Sequence, residues 1–542
     1  MPCALMAFAL LGVCASRCVL VQGLVRARPR MSGAPPGGST AKRKLPDWLP
    51  RGDAMDKQIM SLYAPSLGNL AVVPLTGAVD TFWVGRLGDA VSLAGQGVAN
   101  QVFNSLFNIL IFVPKVTTPL VARAHAAGDV EGVHDRTCNS LFVACALGFV
   151  GMVVLVGWPQ RILSFVLPDG ALAAPFAARY LRLRSLSAVP AAFSAVSFAA
   201  FRGTLDAVTP LGIACASNLL NLVLDPILMF GGGLGVTGAA LATAVSEICS
   251  ASMYFVLLLR LRLASLKGIL TPPNLRTVGP LLAAGVAESV TVNGEAAGVA
   301  ESVTVNGEAP GSPGAGSKTS MGKTNSRSRW AALDVMGLPV TDVTLMLIML
   351  ARTKAAQSMD ISGLTGAAYS IAMTLYFLGE TVSQAMQATS SAYVASRATI
   401  SVNEAALASK RVLGWSVVLG CLVCTAQLTA LPHLLRLFTP NAAIRAAAAP
   451  AVVVGALIQI TNPACCAMEG TAMGIGKWGV LWKTNVVAQV LTILSLSIAM
   501  RQGLGLVGVM SSFGVLNFSI LIGLALRIYG KGGMLSSHVT QR

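Results

Sequence analysis

Charge is scarce in this chain. Asp, Glu, Lys and Arg make up 11% of its 542 residues, against about 25% in an ordinary soluble domain. Hydrophobic residues reach 54%, with a mean hydropathy of +0.70. That shortfall excludes a soluble globular protein and indicates a polytopic membrane protein. Acids are scarcer than bases, 22 against 39, for a net charge of +17. The basic residues lie at segment ends and in tails rather than on an amphipathic face or among exposed aromatics, so nucleic acid is excluded as a partner and the charge is read as topology. Histidine occurs four times, at 125, 134, 433 and 538, each in a loop, segment end or tail, which leaves proton chemistry to carboxylates. Of eleven cysteines, Cys3, Cys14 and Cys18 sit in the N-terminal lead and most others lie in apolar segments. Cys421 and Cys424 form a C-x-x-C inside such a segment with no second pair or nearby His, which excludes zinc. No HExxH, no His–Asp–Ser set and no G-x-x-x-x-G-K-[ST] is present, so neither an enzyme nor a nucleotide-driven motor is expected.

Long apolar spans are abundant. Helices are expected near 59–85, 92–114, 134–157, 174–201, 207–231 and 235–261, and again near 331–352, 361–390, 411–433, 442–466, 478–500 and 504–528. Each is long enough to cross a hydrocarbon core of roughly 30 Å. The expected fold is all-α and polytopic, with twelve transmembrane helices in two six-helix bundles spanning 58–261 and 331–528. With the N-terminus inside, 29 of the 39 Lys and Arg residues fall on that side, and the positive-inside bias places both termini there, cytosolic or stromal.

The remaining stretches read differently. Residues 262–330 are rich in Gly, Ser and Pro and are expected to be a disordered linker. AAGVAESVTVNGE occurs there twice in tandem, at Ala283–Glu295 and Ala296–Glu308. Residues 1–57 begin with the short apolar run MAFALLGVCAS, followed by the acid-free basic stretch RARPRMSGAPPGGSTAKRK. This is either a signal followed by a plastid transit peptide or a cytosolic tail. The first reading predicts removal of these residues and residence in a plastid envelope, and the second in the plasma or another cellular membrane. Residues 529–542 are a tail.

Three short matches relate the two sets. Ser92–Gly95 resembles Gly363–Gly366, Arg202–Thr204 resembles Glu469–Thr471, and Gly233–Gly238 resembles Gly503–Gly508, at offsets between 267 and 271. Their order and near-constant spacing indicate a duplicated six-helix unit. An even number of crossings per unit gives both copies the same orientation, related by an axis along the membrane normal. The acids are not duplicated. Asp80 and Asp225 have no carboxylate at the corresponding C-terminal positions, so the N-terminal half is expected to handle ions, with Asp342 and Glu380 as separate C-terminal candidates.

The densest polar motif is SNLLNLVLDPILMFGGGLGVTGAALAT, Ser217–Thr243. Asn218, Asn221 and Asp225 fall on one helical stripe, and an acid at that depth is costly unless it faces a cavity or a partner. Pro226 has no N–H, so the carbonyl of Leu222 loses its helical donor beside that acid. A freed carbonyl beside a carboxylate suits a cation or a proton, or else a kinked helix whose Asp pairs with a neighbour. The glycine run 231–238 lets the next helix return close by, bringing Thr243 within reach.

With PLTGAVDTFWVGRLG, NLLNLVLDP and GLGVTGAALAT in order, the chain resembles the multidrug and toxic compound extrusion (MATE) transporters, DinF-like branch, over about 57–528. GETVSQAMQ at Gly379–Gln387 and MEGTAMGIG at Met468–Gly476 are similar to the plant chloroplast-envelope members. The resemblance implies a coupling-ion site for H⁺ or Na⁺ built from Asp80, Asn221, Asp225 and Thr243, with no cofactor and no metal beyond Na⁺. Glu247 and Lys115 depart from the family pattern. Glu247, Asp342 and Glu380 are the secondary acids, and Lys115 is read as snorkelling to the interface. The implied function is secondary-active antiport of small organic compounds, xenobiotics or metabolites such as aromatic carboxylates, by a monomer in the lipid bilayer. The other reading kept open is a lipid flippase or facilitative channel on the same frame.

Overall fold

The structure, a computed structural model, describes residues 46, 48–110, 112–204, 206, 208–272, 324–398, 400–530 and 535. The tandem repeat and residues 1–45 lie outside them. Among the described residues the chain is all helix in its regular structure, and its long helices trace twelve passes. The first pass is α1 (Ala54–Gly85), the second α2 (Ala90–Leu110) with α3 (Phe112–Ala126), and the third α4 (Val130–Gly157). After the short α5 (Pro159–Leu163), α6 (Ala174–Ser185) and α7 (Ala188–Gly203) form the fourth pass. The fifth is α8 (Val208–Pro226) with a π turn at Ile227–Gly231, and the sixth is α9 (Val236–Arg260), followed by the short α10 (Leu266–Leu270). The second half runs α11 (Thr324–Ser358), α12 (Leu364–Ala398), α13 (Val402–Phe438), the pair α14 (Ala442–Ile458) and α15 (Asn462–Gly474), α16 (Trp478–Arg501) and α17 (Gly505–Tyr529). Among the described residues, six single helices are long and apolar enough to cross a membrane, and eight passes qualify when each bent pair counts as one span.

Several boundaries differ from the expected ones, and the reasons are local. Asp53 caps α1 by accepting from the Asp56 amide at 3.0 Å, so the helix begins before 59. Asp129 does the same for α4, accepting from Gly132 at 2.8 Å. Ser401 accepts from the Glu404 amide at 3.1 Å and starts α13 nine residues ahead of 411. These caps satisfy amides that have no intrahelical partner. The linker also needs correction: 266–270 is helical, with Ser265 as its cap, and 324–330 already belongs to α11. The fifth pass runs through Pro226, as its expected bounds of 207–231 require. Beyond it the backbone widens into the π turn, where Gly232 N donates to the Ile227 carbonyl at 2.8 Å.

The duplication is visible in the packing. In the first lobe the fourth pass packs on the second, third and sixth, the fifth on the sixth, and α1 on α8. The second lobe repeats each pair, with α14–α15 on α12, α13 and α17, α16 on α17, and α11 on α16. The fourth pass bends by 50° and its counterpart, the tenth, by 42°. Gly233 and Gly235 hold φ of 64° and 55°, and Gly503 and Gly505, 270 positions on, hold 66° and 59°. A left-handed backbone strains any residue with a Cβ, so both copies keep glycine at these tight returns.

The lobes meet at the ends of the helices away from Asp53. Gly85 lies so close to the Phe438 carbonyl that a Cβ would not fit, Asn441 Nδ2 donates to the Gly88 carbonyl at 3.3 Å, and Leu172 N donates to the Ile361 carbonyl at 3.3 Å. One core cluster, including Val84, Leu93, Ala94, Ala368, Tyr369 and Phe438, runs across this seam. Among the described residues, the major inter-lobe packing is of α1 and α2 against α11, α12 and α13. The lobes are therefore sealed at the face that carries Gly88 and Gly363, and α1 alone continues the contact toward the opposite face.

Candidate coupling-ion site

Three helices of the N-terminal lobe bring the four expected residues together. Asp80 lies on α1, Asn221 and Asp225 on α8, and Thr243 on α9, each at most 5% exposed. Asn221 and Asp225 are four apart and share one face. The reversal through Gly233 and Gly235 lays α9 back along α8, and Gly238 packs against the Leu228–Met229 backbone with no room for a Cβ. Thr243 Oγ1 donates to Asp80 Oδ2 at 3.3 Å, and Asn221 Nδ2 donates to Thr243 Oγ1 at 3.4 Å. One turn along, Thr76 Oγ1 donates to Asn218 Oδ1 at 2.6 Å and pins α1 to α8.

The oxygens are under-supplied with donors. Among the described residues, Asp80 Oδ1, both Asp225 oxygens and Asn221 Oδ1 are buried and receive no hydrogen from another side chain or backbone group. The Asp80 and Asp225 carboxyl groups face each other in the pocket. Two carboxyl groups stay so placed only with a proton or a cation between them, because two bare carboxylates repel in a low-dielectric pocket. No group of three or more His, Cys, Asp or Glu residues suited to a metal ion occurs among the described residues. A site of two carboxylates, an amide oxygen and a hydroxyl suits a proton or a small hard cation.

Charged and aromatic neighbours complete the surroundings. Glu247, one turn from Thr243, pairs with Arg184 of α6 at 2.8 Å, and both are within electrostatic reach of Asp80. The Arg184 guanidinium lies over the Phe103 ring at 4.2 Å, and buried Tyr180, one turn away, faces Asp80 and Asp225. Sequence reasoning missed Arg184 and Tyr180. Arg184 ends RYLRLR, residues 179–184, where three arginines in six residues read as a segment end, and the structure turns this one inward.

The secondary acids scatter. Glu380, on α12, accepts from Asn462 Nδ2, whose Oδ1 accepts from Asn517 Nδ2 at 2.9 Å. Asp342 is exposed on α11. The C-terminal lobe also holds Glu469, which accepts from Gln387 Nε2 at 2.8 Å and Asn485 Nδ2 at 3.2 Å. Both Glu469 oxygens thus have an amide donor, in contrast to Asp225. Arg352 is fully buried, bonded to Ser512 and stacked on Phe513 at 3.6 Å.

Two like lobes of six passes enclose, in the first lobe, a buried pair of carboxyl groups short of donors, and ionisable groups buried within apolar spans mark a functional site. Residues 65–227 match the MatE family model. The chain is 38% identical over 218 residues to Protein DETOXIFICATION 44, chloroplastic, of Arabidopsis thaliana, covering 38% of this chain and 40% of that protein. It is 32% identical over 215 residues to DNA damage-inducible protein F of Escherichia coli, covering 40% and 46%. The matched stretches thus span less than half of either relative. Among solved structures, one titled as the inward-facing conformation of a multidrug resistance MATE family transporter superposes with a TM-score of 0.68 at 18% identity, covering 86% of this chain and 96% of that one. That likeness shows the fold. In sequence the chain is thus similar to MATE proteins over part of its length, and in fold over most of it.

Proposed function

We propose that this protein is a secondary-active antiporter that moves small organic compounds out of a compartment in exchange for H⁺ or Na⁺ by alternating access. The observation that carries the reading is the donor-poor pair Asp80 and Asp225, joined to Asn221 and Thr243 across three helices. Keeping two carboxylates in such a pocket is costly in a passive path and useful in a coupled one, where loading and unloading change the local charge. A ligand shifts a two-state equilibrium by its differential affinity for the two states. The sealed face at Gly88 and Gly363 and the lack of major packing between the other ends, α1 excepted, correspond to one of the two states. The chloroplastic relative and the basic acid-free lead together support residence in a plastid envelope. Uptake into proteoliposomes, with H⁺ and Na⁺ gradients imposed separately, tests the reading. Uphill accumulation driven by either gradient supports it, and equilibration alone in both would replace it with a facilitative path.

A further inference from the structure

The inner end of α1 is bound to the lobe that does not contain its own site. Asp56, 2% exposed, accepts from the Arg51 and Gly52 amides, each at 2.6 Å, from Trp415 Nε1 at 2.9 Å and from Arg411 Nη1 at 3.4 Å. Arg411, also 2% exposed, reaches Asp53 Oδ2 through Nη2 at 3.3 Å. One turn along, Gln58 Oε1 accepts from Arg397 Nη2 at 2.7 Å and Tyr393 Oη at 3.3 Å. The Trp48 carbonyl rests on Gly414, where a Cβ would collide with it. Ile59 and Tyr63 then enter a core cluster otherwise made of C-terminal-lobe residues, among them Tyr393, Ala408, Val412 and Ile528. Apart from the neighbouring Arg51 and Gly52 amides, the partners named for 48–63 belong to α12, α13 or α17.

Farther along, the same helix is held by both lobes: Thr81 accepts from Thr374 Oγ1 of α12 at 3.2 Å and Gly85 lies against the Phe438 carbonyl, while new bonds to the N-terminal lobe appear. Thr76 is bonded to Asn218 and Asp80 to Thr243, both in the N-terminal lobe. Pro65 and Pro74 lie between the two attachments, and each removes a backbone donor from the helix. A buried Arg with two carboxylates and a full set of donors on the inner carboxylate is expensive to open, since breaking one partner leaves an uncompensated buried charge. The attachment at Asp80, by contrast, is a single hydroxyl.

We infer that the first three turns of α1 are a fixed part of the C-terminal lobe, anchored by Asp53 and Asp56 on Arg411 and Trp415, and that α1 is the linkage through which movement between the lobes reaches Asp80. The role of Arg411 is positioning: it touches neither ion nor substrate and acts through the helix. The inference rests on the antiport reading for its consequence, coupled transport, but not for its geometry.

The geometry is tested on the full-length protein in nanodiscs, with spin labels at the exposed positions Lys57 on α1, Asn403 on α13 and Asp135 on α4. Distances are measured at high and low pH and with and without Na⁺. The 57–403 distance should stay the same in every condition while 57–135 changes. A 57–403 distance that moves with condition, or a 57–135 distance as invariant as 57–403, would overturn the inference. This arm involves no transport, so it decides even where wild-type protein shows no gradient-driven flux, the result that would sink the antiport reading by itself. In proteoliposomes, Gln58→Cys with Arg397→Cys, joined by a bis-methanethiosulfonate spacer on a background without native cysteines, should retain gradient-driven uptake. Loss of uptake on cross-linking that reduction restores would mean the anchor opens in each cycle. Arg411→Gln should lower the accumulation ratio about tenfold while downhill flux persists, and Trp415→Phe, which removes one hydrogen bond, should do so more mildly if Arg411→Gln fails to fold. Accumulation at the wild-type ratio in both variants would count against the linkage.

Discussion

The Thr243 hydroxyl stands between Asp80 Oδ2 at 3.3 Å and the Ala239 carbonyl at 2.9 Å, and it has one proton to give. When Asp80 is ionised the better acceptor is the carboxylate. When Asp80 carries a proton, the threonine can turn its hydrogen to Ala239 and accept instead. Thr243 therefore reads the state of a residue 163 positions away on a different helix.

Thr243→Ala should weaken the apparent affinity for the driving ion by about tenfold at most, since one hydrogen bond to a charged group is lost. Thr243→Ser should restore most of it. The ion-concentration dependence of uptake measures both, and an unchanged dependence in Thr243→Ala would place the ion elsewhere.

Much of this site is legible in the sequence because helical spacing alone sets Asn221 and Asp225 on one face, and the glycines at 233 and 235 dictate a tight return toward Thr243. The twelve-pass, two-lobed frame follows from apolar length and from matches at a constant offset. What escaped reading depends on contacts between distant segments. Arg184 looks like one of three arginines at a segment end until it is seen paired with Glu247, and Arg411 looks like any basic residue near a helix start until Asp53 and Asp56 are seen to cap it from 355 or more positions away. The π turn after Pro226 is not legible either, since nothing in the residues 227–231 marks where the helix widens.

Gly85→Ala should loosen the sealed face. The added methyl would meet the Phe438 carbonyl, a backbone atom that cannot rotate away, so the two lobes must separate there. Overpacking of this kind costs typically about 1–3 kcal/mol. Labelling of a cysteine placed at Ser370, whose hydroxyl packs against Gly97 in the same seam, should become faster than in the parent. Equal labelling rates would show that the seam yields locally instead.

The Arg184–Glu247 pair should be worth more broken than absent. Side-chain exposures of 12% and 24% leave it largely desolvated. Glu247→Gln strands the guanidinium and Arg184→Gln strands the carboxylate, so each single change should destabilise the folded protein more than the double change does. Thermal unfolding of the four proteins in detergent gives the cycle directly. Additive losses would show that the two groups do not depend on each other.

Asp80 and Asp225 differ in what surrounds them, and the difference predicts unequal mutants. Asp80 has Thr243 as a donor and Arg184 within electrostatic reach. Asp225 has no donor to either oxygen and faces Asp80, so it is the partner better suited to hold a proton. Asn mimics a protonated carboxyl in shape and hydrogen bonding but cannot release the proton. Asp225→Asn should therefore fold, insert and keep its place facing Asp80, while freezing the site in its loaded form and abolishing gradient-driven accumulation. Asp80→Asn should also abolish it, but should disturb the site more, since the Asn amide presents donors toward Thr243 and Arg184 where carboxyl oxygens stood. Exchange of substrate across the membrane without a gradient separates the two. A frozen but intact Asp225→Asn should retain more exchange than Asp80→Asn, and uphill uptake at the wild-type rate in both variants would move the coupling site away from this pair, to Glu247, Asp342 or Glu380.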